Sequence, residues 1–204
     1  MFELSTREIE KQIAQYRLHF SPVHDDEIEW RYQPPPFVIA FVDYVDKFQR
    51  IPGQLEFKDH YFQINRAALR TDQERWGDKA TREQKERALV ARLLRAYPSF
   101  VRDAYLFALL REQDVDAAYD ATQDVEGGVD LVATKNKQQI QIHVYLDSPR
   151  AKQGRAKKDA RHHFAGKHYD LILRQSDCKM VGEFWLPTLE HVRQIASALD
   201  AAQY

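Results

Sequence analysis

The stretch VDLVATKNKQQIQIHVYL, residues 129–146, constrains this chain more than any other. Over Gln138–Leu146, Ile140, Ile142, Val144 and Leu146 point one way while Gln139, Gln141, His143 and Tyr145 point the other, the period of a β-strand. Residues 129–134 form a second strand with Val129, Leu131 and Ala133 on one face, and Lys135-Asn136-Lys137 supplies a turn between them. A two-residue turn at Asn136-Lys137 places Val132 opposite Gln141 and Asp130 opposite His143, so Asp130, Gln141 and His143 converge on one polar face. A three-residue turn would put Asp130 beside Ile142 on the apolar face. The polar pattern favours the first register.

The preceding sequence is helical in period. Ser5-x-x-Glu8 is a capping-box pattern that opens a helix over 5–18. Residues 21–36, with an acidic run and four prolines, read as a connector. Phe37–Phe48 carries a helical stripe, Pro52-Gly53 breaks it, and a further helix covers 54–69, so a helix-turn-helix is one reading of this hairpin. Residues 70–80 read as a loop. Helices then cover 81–96 and 98–112, interrupted at Tyr97-Pro98-Ser99. After them come a strand at 115–119, the hairpin, a basic helix at 155–164, strands at 169–173 and 179–185, and a closing helix at 189–202. The chain divides on this reading into a helical region, 1–80, and an α/β domain, 81–204. Its 204 residues are 44% hydrophobic, enough for a sizeable core. The lone Cys178 excludes a disulfide within the chain and a multi-cysteine zinc site. No stretch approaches the roughly 18 apolar residues of a membrane span, and the acidic start lacks the features of a signal peptide, so a cytoplasmic protein with no membrane partner is expected.

The order of elements over residues 98–173, helix, three strands, helix, strand, resembles the core of the PD-(D/E)XK nuclease superfamily, which includes the restriction endonucleases. The resemblance implies a restriction-endonuclease-like αβββαβ core with a mixed sheet inside an α/β (overall α+β) chain. In that family an Asp opens the second strand and a (Asp/Glu)-x-Lys triplet lies in the third. Gly128-Val129-Asp130 supplies the first element; the triplet position reads Gln141-Ile142-His143 and departs from the pattern at both chemical positions. The implied activity is hydrolysis of phosphodiester bonds, in DNA, with Mg²⁺ or Mn²⁺. Asp130 and Gln141 would hold the metal by carboxylate and amide oxygens. His143 would orient or deprotonate water. Asp103, Glu112, Glu126 and Asp147 are candidates for a second carboxylate, and Lys157 or Lys158 for the missing lysine.

Residues 150–168 hold seven Lys/Arg and three His against one acid, Asp159, which points to an anionic partner. Arg150, Lys152, Arg155, Lys157, Lys158 and Arg161 are the expected phosphate contacts. Two other readings stay open: a catalytically inactive module of the same fold that binds nucleic acid or a protein, and a helix-turn-helix regulator dimerised by its C-terminal half.

Overall fold

The computed structural model describes residues 2–149, 152 and 166–201, with the backbone alone at 126 and 127. Its helical part comprises α1 (Thr6–Ile13), α2 (Asp26–Trp30), α3 (Phe37–Phe48), α4 (Gln54–Ile64), α5 (Arg66–Glu74) and the long α6 (Lys79–Glu112). The sheet part follows as β1 (Asp116–Ala118), α7 (Ala121–Gly127), β2 (Leu131–Lys135), β3 (Gln138–Leu146) and β4 (His168–Leu173). A small hairpin, β5 (Lys179–Val181) and β6 (Phe184–Leu186), and α8 (Leu189–Ala201) close the chain. None of the described helices is long and apolar enough to cross a membrane.

Ser5 caps α1 as its sequence predicts: its hydroxyl accepts from the Glu8 N–H while the Glu8 carboxylate accepts from the Ser5 N–H. The helix nevertheless stops at Ile13 instead of reaching residue 18. Beyond it the Leu18 N–H donates to Glu183 at 2.8 Å and the His19 N–H to the Gln54 side chain, partners that a continuing helix would forgo. The β5–β6 turn presses on the same point. Gly182 has φ +56°, and a Cβ there would stand 2.8 Å from the Ile13 carbonyl oxygen, so only glycine fits. This turn also divides the strand expected at 179–185 into a hairpin.

Three other departures from the sequence reading have local causes. The connector contains α2, because Asp25 accepts from the Ile28 N–H and the acids after it favour a helix N-terminus. The helix expected at 54–69 breaks at Asn65, whose side chain takes the Tyr61 carbonyl at 3.0 Å. The chain then resumes as α5, so much of the expected 70–80 loop is helical. Finally, α6 runs unbroken through Pro98, which cannot donate to the Leu94 carbonyl. The buried Gln54 amide from α4 donates to that carbonyl instead, at 2.7 Å.

α6 packs against α1 to α4, β1, β6 and α8. Phe41, Phe57, Tyr97 and Phe100 meet around its middle with ring centroids 5.7 to 6.3 Å apart. One cluster of buried apolar side chains runs from Phe2 to Leu199, across the boundary placed at residue 80. Burial of this aromatic and aliphatic surface is the main force holding the helices on the sheet.

The larger sheet has the order β1-β2-β3-β4 and is mixed. β1, β2 and β3 pair antiparallel, whereas β4 runs parallel to β3. The β2–β3 register is the one the two-residue turn dictates, with Leu131 opposite Ile142, Val132 opposite Gln141 and Lys135 opposite Gln138. Asn136 and Lys137 both have positive φ, 52° and 68°, the conformation of a type I′ turn. α8 covers β2, β3 and β4. The basic helix expected at 155–164 lies outside the described residues.

Candidate functional site

Asp130 stands just before β2, beside the middle of β3. The regular ladder ends at Leu131 opposite Ile142; the Asp130 N–H donates to the same Ile142 carbonyl at 3.1 Å, one residue out of step, and its carboxylate Oδ2 accepts from the Val144 N–H at 2.7 Å. On β3, His143 is 1% exposed and its Nδ1 lies 2.9 Å from the Gly128 carbonyl. A carbonyl only accepts, so the His143 Nδ1 carries a proton and donates it to Gly128. Gly128 makes this contact possible. It ends α7 in the left-handed region at φ +65°, its N–H on the Asp124 carbonyl, and turns its own carbonyl toward β3.

Gln141, half-buried, sits opposite Val132 as expected. The parallel β3–β4 register sets Gln141 beside His168 and His143 beside Asp170, and the His143 and His168 rings lie 6.1 Å apart. The polar face therefore extends onto β4. An alternating pattern was present at 168–173, with Leu171 and Leu173 buried and His168 and Asp170 on the opposite side. The run of apolar residues around Asp170 concealed it.

The candidates for a second carboxylate separate clearly. Glu112 accepts from the Thr6 N–H and hydroxyl, both at 2.7 Å, and anchors α1. Asp147 is an exposed partner of Lys152 at 2.6 Å, with Arg174 at 3.7 Å; the Lys152 ammonium, aided by Arg174, holds its carboxyl below the usual range. Neither faces Asp130. The Glu126 side chain lies outside the described residues. Asp103, on α6, is buried, 5% exposed. Asp124, which the sequence did not single out, bears on Tyr119.

Arg102 and Tyr119 carry further buried polar groups. Burial lowers the pKa of the Arg102 guanidinium, countered by Asp103, Cys178 and Asp130. Burial, reinforced by Asp103, Asp124 and Asp130, pushes the Tyr119 hydroxyl well above its ordinary value, so it stays protonated.

Of the expected phosphate contacts, Lys152 is the described one, and it is exposed and paired with Asp147. Arg150, Arg155, Lys157, Lys158 and Arg161 lie outside the described residues. Among the described residues no three of His, Cys, Asp and Glu are grouped so as to hold a metal ion. Compared with known protein families, curated proteins and solved structures, the chain matches none.

Proposed function

We propose that this protein is a metal-dependent nuclease of the PD-(D/E)XK type that hydrolyses phosphodiester bonds in DNA. The observation that supports the reading is how Asp130 and His143 are both tied into the hairpin of a mixed sheet, the Asp130 carboxylate by the Val144 N–H and the buried His143 ring by the Gly128 carbonyl. Asp130 and Asp103 hold Mg²⁺ or Mn²⁺, with the Gln141 carbonyl as a further oxygen. The ion supplies Lewis-acid polarisation of the phosphoryl group. His143, its Nδ1–H committed to Gly128, takes a proton from the attacking water at Nε2. Its two ring nitrogens thus have separate tasks, one fixing the ring and the other acting as base. The basic segment around Lys157 and Lys158 grips the backbone.

The test is cleavage of plasmid DNA by the purified chain with Mg²⁺ or Mn²⁺. Cutting that Asp130→Ala removes and Lys157→Ala/Lys158→Ala weakens supports the proposal; cutting that Asp130→Ala leaves intact contradicts it.

One observation favours a second reading, a nuclease-fold module that binds nucleic acid or a protein without cutting. Asp130 and His143 both spend hydrogen bonds on the hairpin backbone, at Val144 and Gly128, as a purely structural pair would. DNA binding without cleavage, insensitive to Asp130→Ala, selects this reading.

A further inference from the structure

The helix that closes the chain is capped by a titratable side chain. Thr188 stands at the head of α8, its carbonyl taking the N–H groups of His191 at 3.0 Å and Val192 at 3.4 Å. His191 is the third residue of the helix, the position from which a glutamate or glutamine ordinarily reaches back to the N-cap N–H. Here the imidazole does so: its Nδ1 accepts from the Thr188 N–H at 3.0 Å. The Thr188 hydroxyl lies 2.9 Å from the same nitrogen and 3.3 Å from the Asp177 carbonyl, so the cap also ties α8 to the turn before β5. The ring is buried, 1% exposed.

This geometry works in one protonation state. A backbone N–H only donates, so Nδ1 keeps its lone pair and the neutral ring carries its proton on Nε2. A second proton can go only to Nδ1. The Thr188 hydroxyl can then turn and accept from it, but the Thr188 N–H has no such option and loses its acceptor. The new positive charge also sits at a helix N-terminus, where the macrodipole disfavours it. Burial acts in the same direction and holds the pKa of the ring below its ordinary 6.5, against Asp177 from the turn and Glu190 on α8, the two charges that favour the protonated form. Glu190 is itself paired with Arg193 at 2.9 Å.

The cap holds the cover of the sheet in place. α8 packs on β2, β3 and β4, and Val192, Ile195 and Leu199 enter the same buried cluster as Ile140, Ile142 and Leu171. The far end of the helix has a separate fastening, Lys135 to Asp200 at 2.9 Å. Loss of the cap therefore loosens the first turns and leaves the last one attached.

We infer that His191 is an acid-released latch: protonation of its Nδ1 frees the first turns of α8 from the turn before β5 and opens the cover of the sheet there. The latch does not depend on the nuclease reading.

The experiment is hydrogen–deuterium exchange of the full chain at about pH 7.5 and about pH 5, corrected for the intrinsic exchange rate at each pH and read peptide by peptide. In the wild type, protection of the first turns of α8 falls about tenfold at the lower pH, the scale of one lost buried hydrogen bond. The last turn of α8 and the middle of α6 keep theirs. His191→Gln retains an acceptor for the Thr188 N–H that does not titrate, so its α8 is equally protected at both pH values. His191→Leu, which has no acceptor, is as loose at the higher pH as the wild type is at the lower. Equal protection of the wild type at both pH values, or the same fall in His191→Gln, overturns the inference. So does a loss of protection spread evenly over the chain, which is global unfolding. Should His191→Gln not fold, nitrogen-15 NMR of the wild type decides. The neutral ring is then the Nε2–H tautomer, and the α8 amide shifts titrate with the midpoint of the ring. An Nδ1–H tautomer, or amides that do not follow the ring, overturns the inference equally.

Discussion

Arg95 and Arg102 lie on one face of α6, about two turns apart, and the chain treats them differently. The terminal nitrogens of Arg95 pair with the Glu29 carboxylate and with the carbonyls of Ser21 and Val23, the latter two at 3.2 Å. Arg92 similarly holds the Ile28 and Tyr32 carbonyls, so the two arginines fasten the connector and α2 onto α6. The Nε of Arg95, like that of Arg102, has no hydrogen-bond partner among the described residues. His60 pairs with Asp43 at 2.7 Å, and Arg50 with Glu56. By contrast, Arg102 and Tyr119 stand beside carboxylates without bonding to them. A polar cluster that closes on itself stabilises a fold.

This contrast can be broken by mutation. The largest effect on stability belongs to Glu29→Ala, which strands Arg95 in the interior and costs about 3–5 kcal/mol in urea unfolding; Arg102→Met costs nothing in the same assay. Equal losses from the two variants would erase the distinction. Asp130→Ala leaves the buried Val144 N–H without its acceptor and costs about 1–3 kcal/mol, less than Glu29→Ala although it removes activity. Lys137→Gly relieves a left-handed residue in the hairpin turn and raises stability by about 1 kcal/mol, the usual cost of that conformation for a side-chain-bearing residue.

The smallest effect concerns pH. His191 is 1% exposed, burial lowers its pKa from the ordinary 6.5, and its Nδ1 accepts from the Thr188 N–H at 3.0 Å. The unfolded chain therefore binds this proton more readily than the folded one. The contribution to stability is complete above 6.5 and is lost as the pH falls through the lowered folded value. Melting temperatures followed from about pH 7 to about pH 5 should decline more steeply in the wild type than in His191→Asn, whose amide does not titrate. Parallel declines would assign the acid sensitivity elsewhere.

What the sequence disclosed follows the reach of its patterns. Strand alternation gave the bounds of β3, and the Asn136-Lys137 turn gave the register; together they place Asp130 against His143 without any coordinates. Asp103 was legible only as one of several acids, because a helix buried on most sides gives no period that selects one side chain. Pro98 marked an interruption that does not occur, since the Gln54 amide that takes the orphaned Leu94 carbonyl comes from forty residues earlier. Arg102 and Tyr119 were not identified at all. Within an amphipathic pattern an arginine is a surface residue and a tyrosine a core residue, and only tertiary packing shows that both are buried polar groups lacking a partner.

The central claim is that Asp130, His143 and Asp103 belong to a phosphodiesterase site. The most direct test is the rate of plasmid nicking in Mg²⁺ or Mn²⁺ for the wild type and for Asp130→Ala, with circular dichroism to verify that the variant is folded. The account predicts nicking by the wild type and a loss of roughly a hundredfold or more in the folded variant, the scale on which removal of a transition-state-stabilising group acts. A wild type that does not cut, or a folded Asp130→Ala that cuts as fast, would contradict it.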